Sequence, residues 1–241
     1  MVTVAPQPAD HPRRSFVYRQ LLQAGAHFGV ENGAAVANDF GEPAREEATA
    51  RRLGLADLSP LPRTGFKGTG TTKWLAEQGV SVPPESNVAV AQAGGGLAAR
   101  LAPEEVLILG ALAGGDDLPA RLSTAWAEAP VPPETPRGFL LPRADSHAWF
   151  LLTGAECPAM FAKICGVDVR PAKFAAGRIA QTSIARLNGI VIRDDKGGLP
   201  AYHLFADSAS AGYLWGCLRD AMAEFGGTPV GLRAVRTLAG L

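Results

Sequence analysis

Twice in this chain an apolar strand runs into a single glycine, a short polar turn and a helix, and a sequence that repeats one such unit is confined to few architectures. The first copy reads LADLSPLPRTGFKGTGTTKWLAEQGVSV from Leu55; the second reads RADSHAWFLLTGAECPAMFAKICGVDV from Arg143. Gly68 matches Gly154, Val80-Ser81-Val82 matches Val167-Asp168-Val169, and Asp57-x-Ser59 loosely matches Asp145-Ser146. The strands are placed from Leu58 to Phe66, across Pro60 and Pro62, and from Ala148 to Leu152. An internal duplication is the reading preferred here, chance likeness of two short strand–helix pairs the alternative.

Each copy is followed by more strands and a helix. After the second come one or two strands between Ile179 and Ile192, then Asp194-Asp195-Lys196-Gly197-Gly198 as a hairpin reversal and Tyr202 to Phe205 as the returning strand. Leu214, Trp215, Leu218, Met222 and Phe225 then recur at helical spacing. Ser208 and Ser210 offer hydroxyls to the first N–H groups of that helix, and Gly226-Gly227 ends it. After the first copy come strands Val88 to Ala91, Gly95 to Leu101 and Val106 to Leu109, and a helix from Asp116 to Ala127. Upstream, a short helix is expected around RQLLQAGAHF and irregular chain from Val30 to Gly41. A charged helix then opens at Glu42-Pro43 and ends near Gly54, with Glu46/Glu47 and Arg51/Arg52 spaced for exposed ion pairs.

The order implies an α+β protein with antiparallel sheets and four parts: a flexible Pro-rich arm over 1–15, a first α+β unit over 16–130, a Pro-rich linker over 131–138 and a second α+β unit over 139–241. With 47% hydrophobic residues the chain can bury a sizeable core. Its 23 basic and 23 acidic residues form no basic patch, which argues against nucleic acid and against a membrane surface. There is no run of about 20 apolar residues, and the Pro-rich start is unlike a secretion signal. Cys157, Cys165 and Cys217 are odd in number and lack C-x-x-C pairing. The expectation is a cytoplasmic protein with three buried thiols.

Chemistry-bearing motifs are sparse. His11, His27, His147 and His203 show no zinc spacing, and no nucleophile elbow, phosphate loop or dinucleotide fingerprint is present. Asp194-Asp195 is a candidate carboxylate pair, but at a hairpin tip the two are expected to face solvent and apart.

The series QLLQAGAHF, EEATARRLGLADLS and FKGTGTTKWLAEQGV resembles the amino-terminal part of the aminomethyltransferase family, the glycine-cleavage T-protein and its relatives. Trp149-Phe150-Leu151-Leu152-Thr153-Gly154, then Tyr213-Leu214-Trp215 and Pro229 to Ala234, resemble that family's second strand–Gly step and closing helix and turn. The stretch GRIAQTSIARLNGIVIRDD, with a Thr and an Arg in a long strand, is similar to the gamma subunit of heterotetrameric sarcosine oxidase. The likeness runs over roughly 16–238.

It implies two related α+β units around a central folate-type cavity, without the carboxy-terminal barrel of full-length enzymes. It further implies a tetrahydrofolate-binding small subunit of an oxidative N-demethylating complex, acting on a sarcosine- or methylamine-type substrate. Larger redox subunits would bear flavin or haem, and released formaldehyde would be captured as methylenetetrahydrofolate. Whether the chain is itself catalytic stays open, with participation in the complex's enzyme activity favoured. Two departures bear on this. The family's acid–base Asp, due just after Leu75, is replaced by Ala76-Glu77-Gln78, and its Tyr-Thr-Gly-Glu segment by sequence around Gly198 to His203 that keeps only Tyr202. Arg186, as an anion partner, and Tyr202, as a stacking surface for a pterin or its glutamate tail, are the implied cofactor-binding residues; an ion-paired Arg and a packed Tyr are the structural alternatives. A non-catalytic subunit with a degenerate folate pocket is the competing function. A relative of folate proteins that support iron–sulfur assembly, echoed faintly in Lys163-Ile164-Cys165-Gly166, ranks last.

Overall fold

A computed structural model describes residues 6–115, 117–130 and 136–241. Their contacts group into two compact units, one from the chain up to Leu61 with His147–Ala176 and Ala180–Leu241, the other from Pro62–Ser146 with Gly177–Ile179. Residues 131–135 of the expected linker, 1–5 of the expected arm and Asp116 of the expected helix lie outside the described residues.

The first unit begins with β1 (Arg13–Arg14), α1 (Tyr18–Gln23), β2 (His27–Glu31) and β3 (Ala34–Asp39), in a sheet of order β1-β3-β2. Arg13 and Arg14, within the stretch expected as an arm, pair in parallel with Ala34 and Ala35. The segment expected to be irregular from Val30 to Gly41 is instead largely a hairpin arm, antiparallel to β2. Its turn is Asn32-Gly33, with φ of 49° and 75°. That dipeptide favours a two-residue turn in which both residues are left-handed, and the small side chains of Ala34-Ala35-Val36-Ala37 concealed a buried strand behind it.

α2 (Pro43–Leu53) follows the sequence closely, with proline in its first turn, Arg51 and Arg52 in its last and Gly54 after it. Glu46 departs from expectation. It is buried rather than exposed, and its two carboxylate oxygens accept from the backbone N–H groups of Phe40 (2.7 Å) and Gly231 (2.9 Å). Such a carboxylate joins three chain segments that no helix-surface ion pair would join. β4 (Gly54–Asp57) comes next.

The second unit contains β5 (Arg63–Lys67), α3 (Thr71–Glu77), β6 (Val88–Ala91), β7 (Leu97–Ala102), β8 (Glu105–Leu109), α4 (Leu118–Glu128), β9 (Phe139–Leu141) and α5 (Arg143–Ser146). Its sheet has the order β6-β7-β8-β5-β9. β5 starts only at Arg63 because Pro60 and Pro62 cannot donate to a ladder. α4 is capped by Asp117, whose Oδ1 accepts from the Ala120 N–H at 3.2 Å.

The chain returns to the first unit with β10 (His147–Thr153), α6 (Cys157–Phe161), β11 (Ile179–Ile184), β12 (Leu187–Arg193), β13 (Ala201–Asp207), α7 (Ala211–Ala223), β14 (Thr228–Pro229) and α8 (Leu232–Ala239). Here the sheet order is β11-β12-β13-β10-β4-β14. A 3-10 turn at Ser208–Ser210 leads into α7, and its cap is Asp207, accepting from the Ala209 N–H at 2.8 Å, not the expected serine hydroxyls. β10 and β13 pair antiparallel over seven residues each. From Ala148 to Leu152 every side chain of β10 is buried, which is why this strand reads as a continuous apolar run and not an alternating one.

The duplication has a backbone counterpart. The strand order β6-β7-β8-β5 of one unit matches β11-β12-β13-β10 of the other. Gly68 after β5 has φ of 113° and Gly154 after β10 has φ of 111°. Gly68 N–H donates to Glu104 O (2.8 Å), just before β8, and Gly154 N–H to Pro200 O (2.9 Å), just before β13. Two glycines in one rare conformation, each with the equivalent partner, are hard to obtain from unrelated strand–helix pairs. Among the described residues no helix is long and apolar enough to cross a membrane.

Candidate functional site

The β12–β13 hairpin turns through Gly197 and Gly198, with φ of 56° and 74°. It does not present Asp194 and Asp195 to solvent as a free pair, as expected from the hairpin tip. Asp195 takes a two-point ion pair from Arg193, at 2.8 and 2.6 Å. Asp194 Oδ2 lies against Lys196 Nζ and 3.1 Å from His203 Nε2. The other ring nitrogen of His203, Nδ1, is 3.0 Å from Trp149 Nε1. Indole N–H only donates, so Nδ1 must accept; Nε2 then carries the proton and donates to Asp194. Burial holds the His203 pKa down, against the pull of Asp194. Burial works against the Asp194 carboxylate too, but the His203 hydrogen bond and the Lys196 charge outweigh it and keep the group ionised far below the usual carboxylate range. With both nitrogens engaged and only 2% exposure, His203 cannot take a substrate's proton without surrendering Trp149. This chain of side chains therefore organises the hairpin.

Tyr202 sits on the same strand and points to the opposite face. It is 0% exposed, its hydroxyl donates to Val169 O at 2.8 Å, and its ring meets Phe161 edge-on at 5.2 Å. A pterin needs an open ring face, and the expected stacking role of Tyr202 gives way to packing. Arg186 is not inside a strand either. Ala185 and Arg186, with φ of 49° and 68°, form the two-residue turn between β11 and β12. Tyr202 pairs across the sheet with Arg193. Arg186 precedes Arg193 by seven residues, or roughly 20 Å along a strand. The two expected site residues do not meet.

Arg186 instead stands at a cleft of about 510 Å³ together with Tyr213, Cys165 and Cys217. Tyr213 is 53% exposed and tethered through its hydroxyl to Ala185 O at 3.2 Å. Its pKa is raised, first by its hydrogen bond with Cys217. Lys163, also at the cleft, is occupied by Ala221 O (3.2 Å) and Glu224 (3.3 Å). The Cys165 thiol is pushed up by burial, and that of Cys157 further still, so these two act as small hydrophobes and not as thiolate nucleophiles. Cys157 is buried as expected, whereas Cys165 and Cys217 are partly exposed at the cleft. The cleft thus offers a guanidinium and an open aromatic face. A signal for it was present: Tyr213 and Cys217 are four residues apart, on the side of α7 away from Leu214 and Leu218. Elsewhere, Glu77 of the Ala76-Glu77-Gln78 step is half exposed on α3, 4.0 Å from Lys73, and forms no acid–base site.

The fold matches solved structures. A chain of heterotetrameric sarcosine oxidase from Corynebacterium sp. U-96, in complex with pyrrole 2-carboxylate, superposes with a TM-score of 0.59 and 21% identity, over 78% of this chain and 94% of that one. The glycine cleavage system aminomethyltransferase T from Bartonella henselae superposes with a TM-score of 0.71 and 17% identity, over 95% of this chain. The present chain spans 63% of the aminomethyltransferase's length. No family model matches the sequence, and no curated protein matches it. At these identities the likeness establishes the fold alone, an α+β fold similar to that of the aminomethyltransferase, as expected from the sequence.

Proposed function

We propose that this chain is the small, tetrahydrofolate-binding subunit of a hetero-oligomeric complex that oxidatively N-demethylates a sarcosine- or methylamine-type substrate, with flavin or haem carried by larger partner chains. In this reading it captures released formaldehyde as methylenetetrahydrofolate. The observation that carries the proposal is the donor set of the Arg186 cleft, on a fold like that of a sarcosine oxidase chain and of an aminomethyltransferase. The donor set of the Arg186 cleft fits an acidic, aromatic ligand. Arg186 suits a carboxylate, Tyr213 suits a flat ring, and the cleft volume is within the roughly 300–1,000 Å³ of small-molecule sites.

When bound, tetrahydrofolate supplies the nitrogen nucleophiles that take up formaldehyde. The chain's own contribution is orientation. Arg186 fixes the acidic end, and Tyr213, held to Ala185, fixes a ring. Bringing two reactants together in one cleft raises their rate by proximity. Titration with tetrahydrofolate, alone and in the assembled complex, followed by the fluorescence of the four tryptophans, is expected to saturate. Arg186→Gln is expected to weaken binding about tenfold, the worth of one charge-assisted hydrogen bond. Absence of a saturable change even in the complex would end the folate proposal.

A scaffold with a degenerate pocket is the second reading, favoured by the burial of Tyr202 and the closed network around His203, which leave that part of β13 no group free for a ligand. It requires the complex to disperse without this chain, and formaldehyde capture in the complex to be indifferent to Arg186→Gln.

A further inference from the structure

A second cleft, of about 540 Å³, opens in the same unit between α1, α2 and α7. Its apolar surface comes from Phe40, Trp215 and Pro229. Trp215 is 4% exposed and fixed against Phe150, with ring centroids 5.5 Å apart, so this wall is rigid. The polar groups come from three helices. Arg219 follows Trp215 by one helical turn and therefore stands over the same opening; Arg45 reaches it from α2 and Gln20 from α1.

What these groups already bind decides what the cleft can take. Arg219 has no hydrogen-bond or ion-pair partner among the described residues, and neither does the Gln20 carboxamide. Arg45 has only Glu42, at 3.5 Å and with both side chains largely exposed, a pairing of little worth. Glu46, the other carboxylate at the cleft, has both oxygens taken up by backbone N–H groups, and presents no open acceptor to a cation. The cleft therefore has a free guanidinium, a second one weakly held, an amide and a fixed aromatic wall.

We infer that this cleft binds a small carboxylate with a flat apolar body, the carboxylate on Arg219 with Arg45 in support and the body against Phe40 and the small part of Trp215 that lines the cleft. Arginine matches a carboxylate with two parallel N–H donors, and an aromatic wall favours a planar body over a branched one. The site is separate from the Arg186 cleft and does not depend on what that cleft binds.

The probe is benzoate, with benzamide as its uncharged counterpart, followed through the indole N–H resonances of the ¹⁵N-labelled full chain. Saturable shifts of the Trp215 resonance are expected with benzoate. Benzamide and the Arg219→Gln variant should each bind about tenfold more weakly, while Arg186→Gln should bind benzoate as the natural chain does. Arg219 is exposed, so the fold is expected to survive its replacement. Arg45→Gln, with an expected loss of a few fold, supplies an independent reading on a second helix should Arg219→Gln fail to fold. Equal binding of benzamide and benzoate, or no Trp215 shift with benzoate, overturns the inference.

Discussion

His203 shows how one residue's surroundings decide its chemistry. Trp149 fills one nitrogen and Asp194 the other, so a residue that would be a base in an open site is a strut in a closed one. Its pKa is held below the usual value of about 6.5. The unfolded chain thus takes up a proton that the folded chain refuses. The stability from His203 is complete above about pH 6.5 and falls as pH drops below it, by up to about 1.4 kcal/mol per pH unit. Asp194 is shifted down, so its contribution is present above about pH 4 and is lost only at lower pH. Urea melts between pH 8 and 4 are expected to show midpoints falling from about pH 6.5. His203→Asn should be less stable at pH 8, by about 1–3 kcal/mol for the orphaned indole N–H, with a flatter slope between pH 6.5 and 4. A natural chain whose stability is level across that window would contradict the buried neutral histidine.

The repeated strand–Gly–helix step belongs to the scale of elements, and its two glycines are not equally replaceable. A β-carbon on Gly154 would lie 2.4 Å from the backbone carbonyl of Arg52, which cannot move without α2. On Gly68 it would lie 3.3 Å from the Phe139 ring, an exposed side chain that can turn aside. Both substitutions carry the cost of a left-handed residue, about 1–2 kcal/mol. Gly154→Ala is therefore expected to lose about 3 kcal/mol or more, and Gly68→Ala about 1–2 kcal/mol, in denaturant melts. Equal losses would mean that α2 yields where its packing says it cannot. The hairpin of β2 and β3 teaches the converse: its Asn32-Gly33 turn was written in the sequence, but of the four residues after it only Val36 is β-branched, too little of the pattern by which strands are found.

For the whole molecule, the proposed role predicts company. A tagged copy recovered from its own cells is expected to bring down a coloured chain with the visible spectrum of flavin or haem, in a complex that oxidises an N-methyl amine and releases formaldehyde. Recovery without a coloured partner, or with one that shows no amine oxidation, would count against both the folate reading and the scaffold reading. The sequence by itself determined the strand–Gly–helix repeat, the charged helix bounded by Pro43 and Gly54, and the long apolar strands β10 and β13, because periodicity and backbone restriction act over a few neighbouring residues. Only the tertiary structure decided that Tyr202 is buried while Tyr213 stands open beside Arg186, and that Glu46 binds backbone rather than arginine. Which face of a strand or helix meets solvent depends on partners distant along the chain, and local pattern does not record them.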